Sequence, residues 1–364
     1  MNRKALGDLM RCLRGEPVAS PDWVPPDWLA ILEIANEHLL TPALWMALSE
    51  SGQAAALPAD VRDYLATLHR LNGERNHALR RQAIELIGAL NAQGTVPALL
   101  KGGLALFDGP YADPATRMMR DLDILVPAWS RDDAIAVLGR LGYRLVQQYA
   151  AGHHAYGDFA RPNDPGSVDL HTELVDSSHV LPASEVWDRA ALRQTDGVRY
   201  YSPCATDRIM HNLLHAQIHY LGNFYRGELQ VQQVHELVAL ARHFGSTVDW
   251  PFVQQRLRAH RLTPALHSYL LAARALLGFA WPLPGSPGLG ARLNHLRCEM
   301  QFGMRTLQRI GVPWGNLRGA LAWHRMQALH GSAGGPLSWR CRHLLQYLRK
   351  KGIGATLERL RRVQ

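Results

Sequence analysis

Two aspartates one residue apart, Asp121 and Asp123, interrupt an apolar run that continues Ile124-Leu125-Val126. Read as a strand, such a run sends residues i and i+2 to the same side of a sheet, so both carboxylates face one cleft. Two like charges held side by side away from water are unfavourable unless a divalent cation neutralises them. A second short apolar run, Pro97–Leu100, ends in Lys101-Gly102-Gly103, and Asp121 follows Gly103 by eighteen residues. A Gly-Gly turn offers bare backbone N–H groups to an anion. The two runs together imply a small sheet carrying a site for a metal and a phosphorylated ligand.

The periodicity changes twice along the chain. Residues 1–95 read as helical, with Thr41-Pro42 resembling a helix start and a long pattern from about Ala59 to Asn91. Leu65, Leu68, Leu71, Leu79, Ile84 and Ile87 recur on its faces, and Gln93-Gly94 supplies a stop. Short strand-like runs then follow at 96–100, 122–126, 143–149, 154–159 and 167–174, with a helical stretch over Arg131–Leu141. From about residue 205 helices return, over Thr206–Tyr220, Glu228–His243, Pro251–His260, Pro264–Leu277 and Ala291–Ile310, then two basic C-terminal helices. The expected architecture is α+β, with a small mixed-sheet core at 96–204 embedded between an N-terminal helical region, 1–95, and a C-terminal one, 205–364.

Composition narrows the class without choosing a ligand. With 47% hydrophobic and 20% charged residues the chain reads as a soluble globular protein, and no apolar run is long enough to span a membrane. The N-terminus does not read as a signal peptide, which makes a cytoplasmic location the default expectation. Cys12, Cys204, Cys298 and Cys341 lack CxxC spacing, against a cysteine zinc site or a disulfide framework. A net charge of +9 favours a phosphorylated or polyanionic partner. Much of it gathers at Arg340, Arg342, Arg349, Lys350, Lys351, Arg359, Arg361 and Arg362, where a solvated helix face is the plain alternative. Neither a GxSxG elbow nor a GxxxxGK[ST] loop is present, so serine-hydrolase and P-loop chemistry find no support.

A third carboxylate lies downstream. Ser167-Val168-Asp169-Leu170-His171 alternates as a strand after Gly166, and a strand running beside that of Asp121 brings Asp169 to the same cleft. His171 and Glu173 share its face. Lys101 can serve a phosphate or pair with an aspartate. Arg117, four residues before Asp121, offers a fork of donors for phosphate or for the aspartates, whereas Arg120 falls on the opposite face. His211, His215 and His219 share one face of a helix; without an HExxH glutamate they read as a polar face beside the cleft rather than a zinc or manganese stripe. His153-His154 precede a strand-like run.

The order KGG, R-x-x-R-DLDILV, GYR and VDLHTEL resembles the bacterial nucleotidyltransferase family of the polymerase-beta superfamily, related to the kanamycin-type and CCA-adding enzymes. The resemblance implies transfer of NMP from an NTP, ATP among them, to an acceptor hydroxyl or phosphate, with release of pyrophosphate. It implies two Mg2+ ions (Mn2+ as a substitute) bridged by Asp121 and Asp123, with Asp169 completing the metal set and serving as base. Lys101, Gly102, Gly103 and Arg117 would hold the nucleotide. Superfamily members often carry Gly-Ser where this chain has Gly102-Gly103, so backbone N–H alone is available at Gly103. The acceptor stays open among a small molecule, a peptide or protein side chain and an RNA end, and the oligomeric state stays open too. The alternatives are a non-catalytic nucleotide- or RNA-binding module on the same fold and a DxD glycosyltransferase, which explains Asp121-x-Asp123 but predicts neither the glycine turn nor the later strand carboxylate.

Overall fold

The computed structural model describes residues 3–17, 26–150, 153–219 and 222–330, together with 337, 338, 340–342 and 345. Of the basic C-terminal positions, Arg349, Lys350, Lys351, Arg359, Arg361 and Arg362 lie outside the described residues. In chain order the elements are α1 (Arg3–Leu13), α2 (Trp28–Glu37), α3 (Thr41–Glu50), α4 (Ala59–Ala92), β1 (Ala98–Leu99), α5 (Lys101–Ala105), β2 (Asp121–Leu125), α6 (Arg131–Arg140), β3 (Arg144–Gln148), β4 (Ala155–Ala160) and β5 (Ser167–His171). They continue with α7 (Ala183–Arg189), β6 (Ala191–Thr195), β7 (Val198–Ser202), α8 (Ala205–Gln217), α9 (Asn223–Arg226) and α10 (Val231–Phe244). The described helices close with α11 (Trp250–Ala259), α12 (Thr263–Leu277), α13 (Leu289–Gly303), α14 (Arg305–Ala320) and α15 (Trp323–His330). This is the expected α+β arrangement of a mixed sheet between helical regions. Among the described helices, none is long and apolar enough to cross a membrane.

The seven strands form one sheet in the order β3-β4-β5-β2-β1-β7-β6. β2 and β5 run parallel at its centre, with Asp121 opposite Ser167, Asp123 opposite Asp169 and Leu125 opposite His171. β4 pairs antiparallel with β5 and sets Asp158 opposite Asp169. Alternation then sorts the side chains by face. Leu122, Ile124, Val168, Leu170 and Phe159 pack with Leu79, Ala83, Leu86 and Ile87 of α4 and with Ala134, Val137 and Leu138 of α6. The opposite face receives the carboxylates. A second apolar core joins residues of α1–α3 with those of α8 and α10–α12, so the helices before and after the sheet share one interior.

α4 is the spine of this layout, and its apolar stripe is broken on purpose by amides. Asn72 and Asn76 are buried where the pattern of leucines stops, while Leu71 is exposed. Asn72 Nδ2 donates to the carbonyls of Ala115 at 2.6 Å and Arg117 at 3.0 Å. Asn76 Nδ2 donates to those of Pro114 at 2.8 Å and Arg117 at 2.9 Å. Between them Arg75 bonds the carbonyls of Met119, Arg120 and Pro165. Gln82 Nε2 donates to the Gly166 carbonyl at 2.8 Å. The loops entering β2 and β5 are therefore gripped by one helix, which fixes the register of both strands. Gly166 has no room for a side chain: a Cβ there would stand 2.7 Å from Leu79 and 2.8 Å from the Arg120 carbonyl.

Three local departures from the sequence reading have plain causes. β6 and β7 form a hairpin that was not anticipated; its turn is Asp196-Gly197, both at positive φ, the pair that a tight hairpin turn favours. The Ala291–Ile310 stretch is two helices, because Met304, after Gly303, adopts an extended backbone at φ −136°, and glycine is a weak helix former. The Lys101-Gly102-Gly103 segment opens the short helix α5 instead of forming a glycine turn, and the residue with left-handed backbone is Lys101, at φ 43°.

If α4 sets the strand register through its amides, Asn76→Ala takes the Asn76 donor from the Pro114 carbonyl and leaves the Arg117 carbonyl with Asn72, which costs about 1–3 kcal/mol. Urea unfolding is the check; an unchanged midpoint would remove Asn76 from this role.

Candidate active site

The carboxylates of Asp121, Asp123, Asp158 and Asp169 come to the same face of three adjacent strands through the pairing of β2 with β5 and β5 with β4. Neighbouring strands lie only about 4.7–4.9 Å apart, so like charges are forced together. Two cations answer them. Lys101 Nζ lies 2.6 Å from Asp123 Oδ1. His171 Nε2 lies 3.1 Å from that same oxygen and 3.0 Å from Asp169 Oδ2. Its other ring nitrogen, Nδ1, stands 3.2 Å from the Glu173 carbonyl. Both nitrogens thus face acceptors, which requires the ring to carry both protons.

The titration behaviour follows from these contacts. Burial works against a charged His171, but its bonds to Asp123 and Asp169 prevail and raise its pKa to about 9. Burial also opposes ionisation of Asp123; Lys101 and His171 overcome it and hold that carboxyl well below the usual range. Asp121 goes the other way, pushed to about 6 by burial and by the Asp123 charge. Asp158 is raised by burial and by Asp169 and Asp123, against the hydrogen bond it accepts from the Tyr149 hydroxyl at 2.9 Å. Lys101 and His171 are the cations in direct contact with these carboxylates, with Arg75 and Arg117 acting on Asp121 from farther away. Asp169 Oδ1 is buried and has no hydrogen-bond partner, as expected of an oxygen meant for a cation.

The remaining anticipated residues take different positions relative to this cluster. Gly102 and Gly103 are buried in the first turn of α5, where backbone N–H groups have no intrahelical partner. A Cβ on Gly102 would displace the Arg117 guanidinium from its place beside it, whereas a Cβ on Gly103 would meet only ordinary contacts at 3.6–3.8 Å. The Arg117 fork is turned to Glu236 of α10, with Nε 3.2 Å from Oε1 and Nη2 2.9 Å from Oε2. Arg120 is exposed. Glu173 leaves the face of Asp169: its Oε2 accepts the Ala183 N–H at 3.0 Å at the start of α7.

The histidine stripe on α8 divides. Burial, with the Lys101 charge next, pushes His211 and His215 well below the ordinary histidine range. His219 lies past the end of the helix, its Nδ1 3.0 Å from Asp176 Oδ2. His154 packs against His171 with ring centroids 4.9 Å apart, and burial lowers it to about 4. Sequence reasoning missed Asp158, although the alternation of β4 placed it opposite the Phe159 face.

A cleft of about 350 Å³ opens beside the cluster, within the roughly 300–1,000 Å³ of small-molecule sites. Lys101, Gly102, Arg117–Asp121 and Asp123 line its sheet side, and His215, Asn223, Gln230, Gln232 and Gln233 line the helical side. Gln232 Nε2 holds the Met118 carbonyl at 3.0 Å, which ties α10 to the loop entering β2. The family model described as "Uncharacterised nucleotidyltransferase" matches residues 25–278, a span containing the whole sheet and α2 through α12. No curated protein and no solved structure matches the chain.

The raised Asp121 pKa has a stability consequence in ion-free protein. The folded chain holds this proton more tightly than the unfolded one between pH 3.8 and about 6, so stability falls as pH rises through that window. Asp121→Asn removes the repulsion and is expected to raise stability at pH 7 by on the order of 1–3 kcal/mol, with little effect near pH 4. Unfolding in chelator at the two pH values measures this, and an equal effect at both would contradict it.

Proposed function

The chain belongs to this nucleotidyltransferase family, a family of enzymes, and from that premise we propose that it moves NMP from a nucleoside triphosphate to an acceptor by a polymerase-beta type of mechanism. The observation that supports the reading is the register of β2 with β5, which sets Asp123 beside Asp169 on the sheet face that also carries Asp121, with one buried oxygen of Asp169 unpartnered. An all-oxygen set of carboxylates is what Mg2+ takes, with Mn2+ as a substitute. Asp121, Asp123 and Asp169 would hold the metal. When bound, the ions would neutralise the triphosphate and the charge developing on the attacking and leaving oxygens.

The chain's own groups divide the remaining work. Asp169 accepts the acceptor's proton, directly or through water, as its oxygen bonds to the α-phosphorus. The bond from that phosphorus to the β-phosphate oxygen breaks, and pyrophosphate departs. Lys101, 2.6 Å from Asp123, would exchange that partner for phosphate oxygens. Gly102 and Gly103 offer backbone N–H groups from the first turn of α5. The left-handed backbone at Lys101 costs about 1–3 kcal/mol and is tolerated where it aims a working group. Arg117, committed to Glu236, keeps Gly102 and the β2 loop in position. His171 contacts Asp123 and Asp169 and holds the two carboxylates in place.

The amide-lined helical wall of the cleft faces the cluster, and the acceptor enters along it. A small molecule, a peptide or protein side chain and an RNA end all suit a polar wall of this kind.

The purified chain with Mg2+ and α-labelled NTPs, offered cell extracts as the acceptor source, is expected to transfer label and release pyrophosphate. Asp169→Asn should lower the rate by about 10²–10⁴-fold, and Asp121→Asn with Asp123→Asn should abolish it while the fold persists. Undiminished labelling by the double variant would refute the assignment.

A further inference from the structure

Nucleotidyl transfer makes no use of a second polar cluster at the far end of β4. His153 and His154 precede that strand, Asp176 lies in the loop after β5, and His219 follows α8. His154 Nδ1 stands 2.8 Å from Asp176 Oδ1, and His153 Nε2 stands 3.9 Å from the same oxygen. His219 Nδ1 approaches the other carboxylate oxygen at 3.0 Å, yet it is buried without a hydrogen bond. Nitrogen and oxygen are close there without pointing at each other. The rings converge as well: centroids are 4.1 Å apart for His153 and His154 and 4.2 Å apart for His154 and His219. His153, His154 and Asp176 each offer a ligand atom within 4.8 Å of the others.

These spacings fit donors gathered around one ion. Tetrahedral zinc, with bonds of about 2.0–2.2 Å, has donor–donor edges of roughly 3.3–3.5 Å. The three nitrogen–oxygen separations, 2.8, 3.0 and 3.9 Å, straddle that length. Imidazoles with one carboxylate suit a borderline transition ion, whereas Mg2+ prefers oxygen alone. The position of His154 is set by the backbone, since its carbonyl accepts the N–H groups of Thr172 and Glu173, each at 3.0 Å.

We propose that His153, His154, Asp176 and His219 form a site for one Zn2+ ion, adjoining the carboxylate cluster through His154, which also lies against His171 and Asp169, and argued without the nucleotidyl-transfer reading. The ion would fasten the end of the sheet to the end of α8, whose preceding turns carry His215 to the cleft wall.

The test uses the full chain, stripped with chelator and titrated with Co2+ in excess Mg2+, then with Zn2+. One equivalent of Co2+ with the strong visible absorption of four-coordinate cobalt, displaced by Zn2+, is expected. Asp121→Asn with Asp123→Asn should leave that signal intact. Asp176→Ala and His153→Ala, both at partly exposed positions, should each weaken it by about tenfold or more, with the circular dichroism of the parent. Absence of the cobalt bands, unchanged affinity in Asp176→Ala and His153→Ala, or loss of the signal in the carboxylate double variant would each overturn the proposal. Since the last variant also disables the proposed catalytic site, failure of transfer with intact cobalt binding separates the two ideas.

Discussion

Everything at the centre of this protein depends on the in-register parallel pairing of β2 with β5. That register sets Asp123 directly beside Asp169, a juxtaposition that electrostatics alone would undo. A one-residue slip of either strand would turn its carboxylates into the apolar face and its leucines out of it. The alternation of Leu122, Ile124, Val168 and Leu170 against α4 and α6 therefore holds the acidic face in place from behind. α4 secures the same result from the ends, through Asn72, Arg75, Asn76 and Gln82 on the two entering loops. Stability of the apolar face and charge density on the polar face are two sides of one pairing.

The repulsion is contained rather than removed. Lys101 and His171 both bond Asp123, which leaves Asp121 raised and one oxygen of Asp169 without a partner. Such a site is poised for cations and for the anionic substrate they accompany. The helical regions contribute from the other side: their shared core carries α8 and α10 to the cleft, and Glu236 and Gln232 lock α10 onto the residues just before β2. In the proposed reading the sheet supplies chemistry at phosphorus, and the helices shape what is brought to it.

Much of this was legible because a strand's period of two translates directly into facing. The common facing of Asp121 and Asp123 was readable from alternation, Asp169 was singled out with the help of the family resemblance, and the helix–sheet–helix order came from the change of period. What escaped depends on pairing between distant segments. Asp158 shares the cluster only because β4 lies beside β5, and no local pattern in Tyr156-Gly157-Asp158-Phe159 announces that neighbour. Arg117 finds Glu236 across 119 positions, so a fork that suggested phosphate is occupied by a carboxylate. Asn72 and Asn76 look like flaws in a leucine stripe until their carbonyl partners are seen. The three histidines of α8 invited one reading as a set, yet the helix ends before His219 and sends it to Asp176. Asp196-Gly197, by contrast, did carry a local hairpin signal.

The central claim is that Asp121, Asp123 and Asp169 bind the ions that accompany a nucleoside triphosphate. A crystal structure with Mn2+ and a non-hydrolysable triphosphate analogue addresses it most directly, because manganese can be located by its anomalous scattering. The account predicts manganese held between these three carboxylates, with phosphate oxygens against Lys101 and the first turn of α5. Nucleotide and metal bound elsewhere, with Lys101 and His171 still the only partners of Asp123, would contradict it.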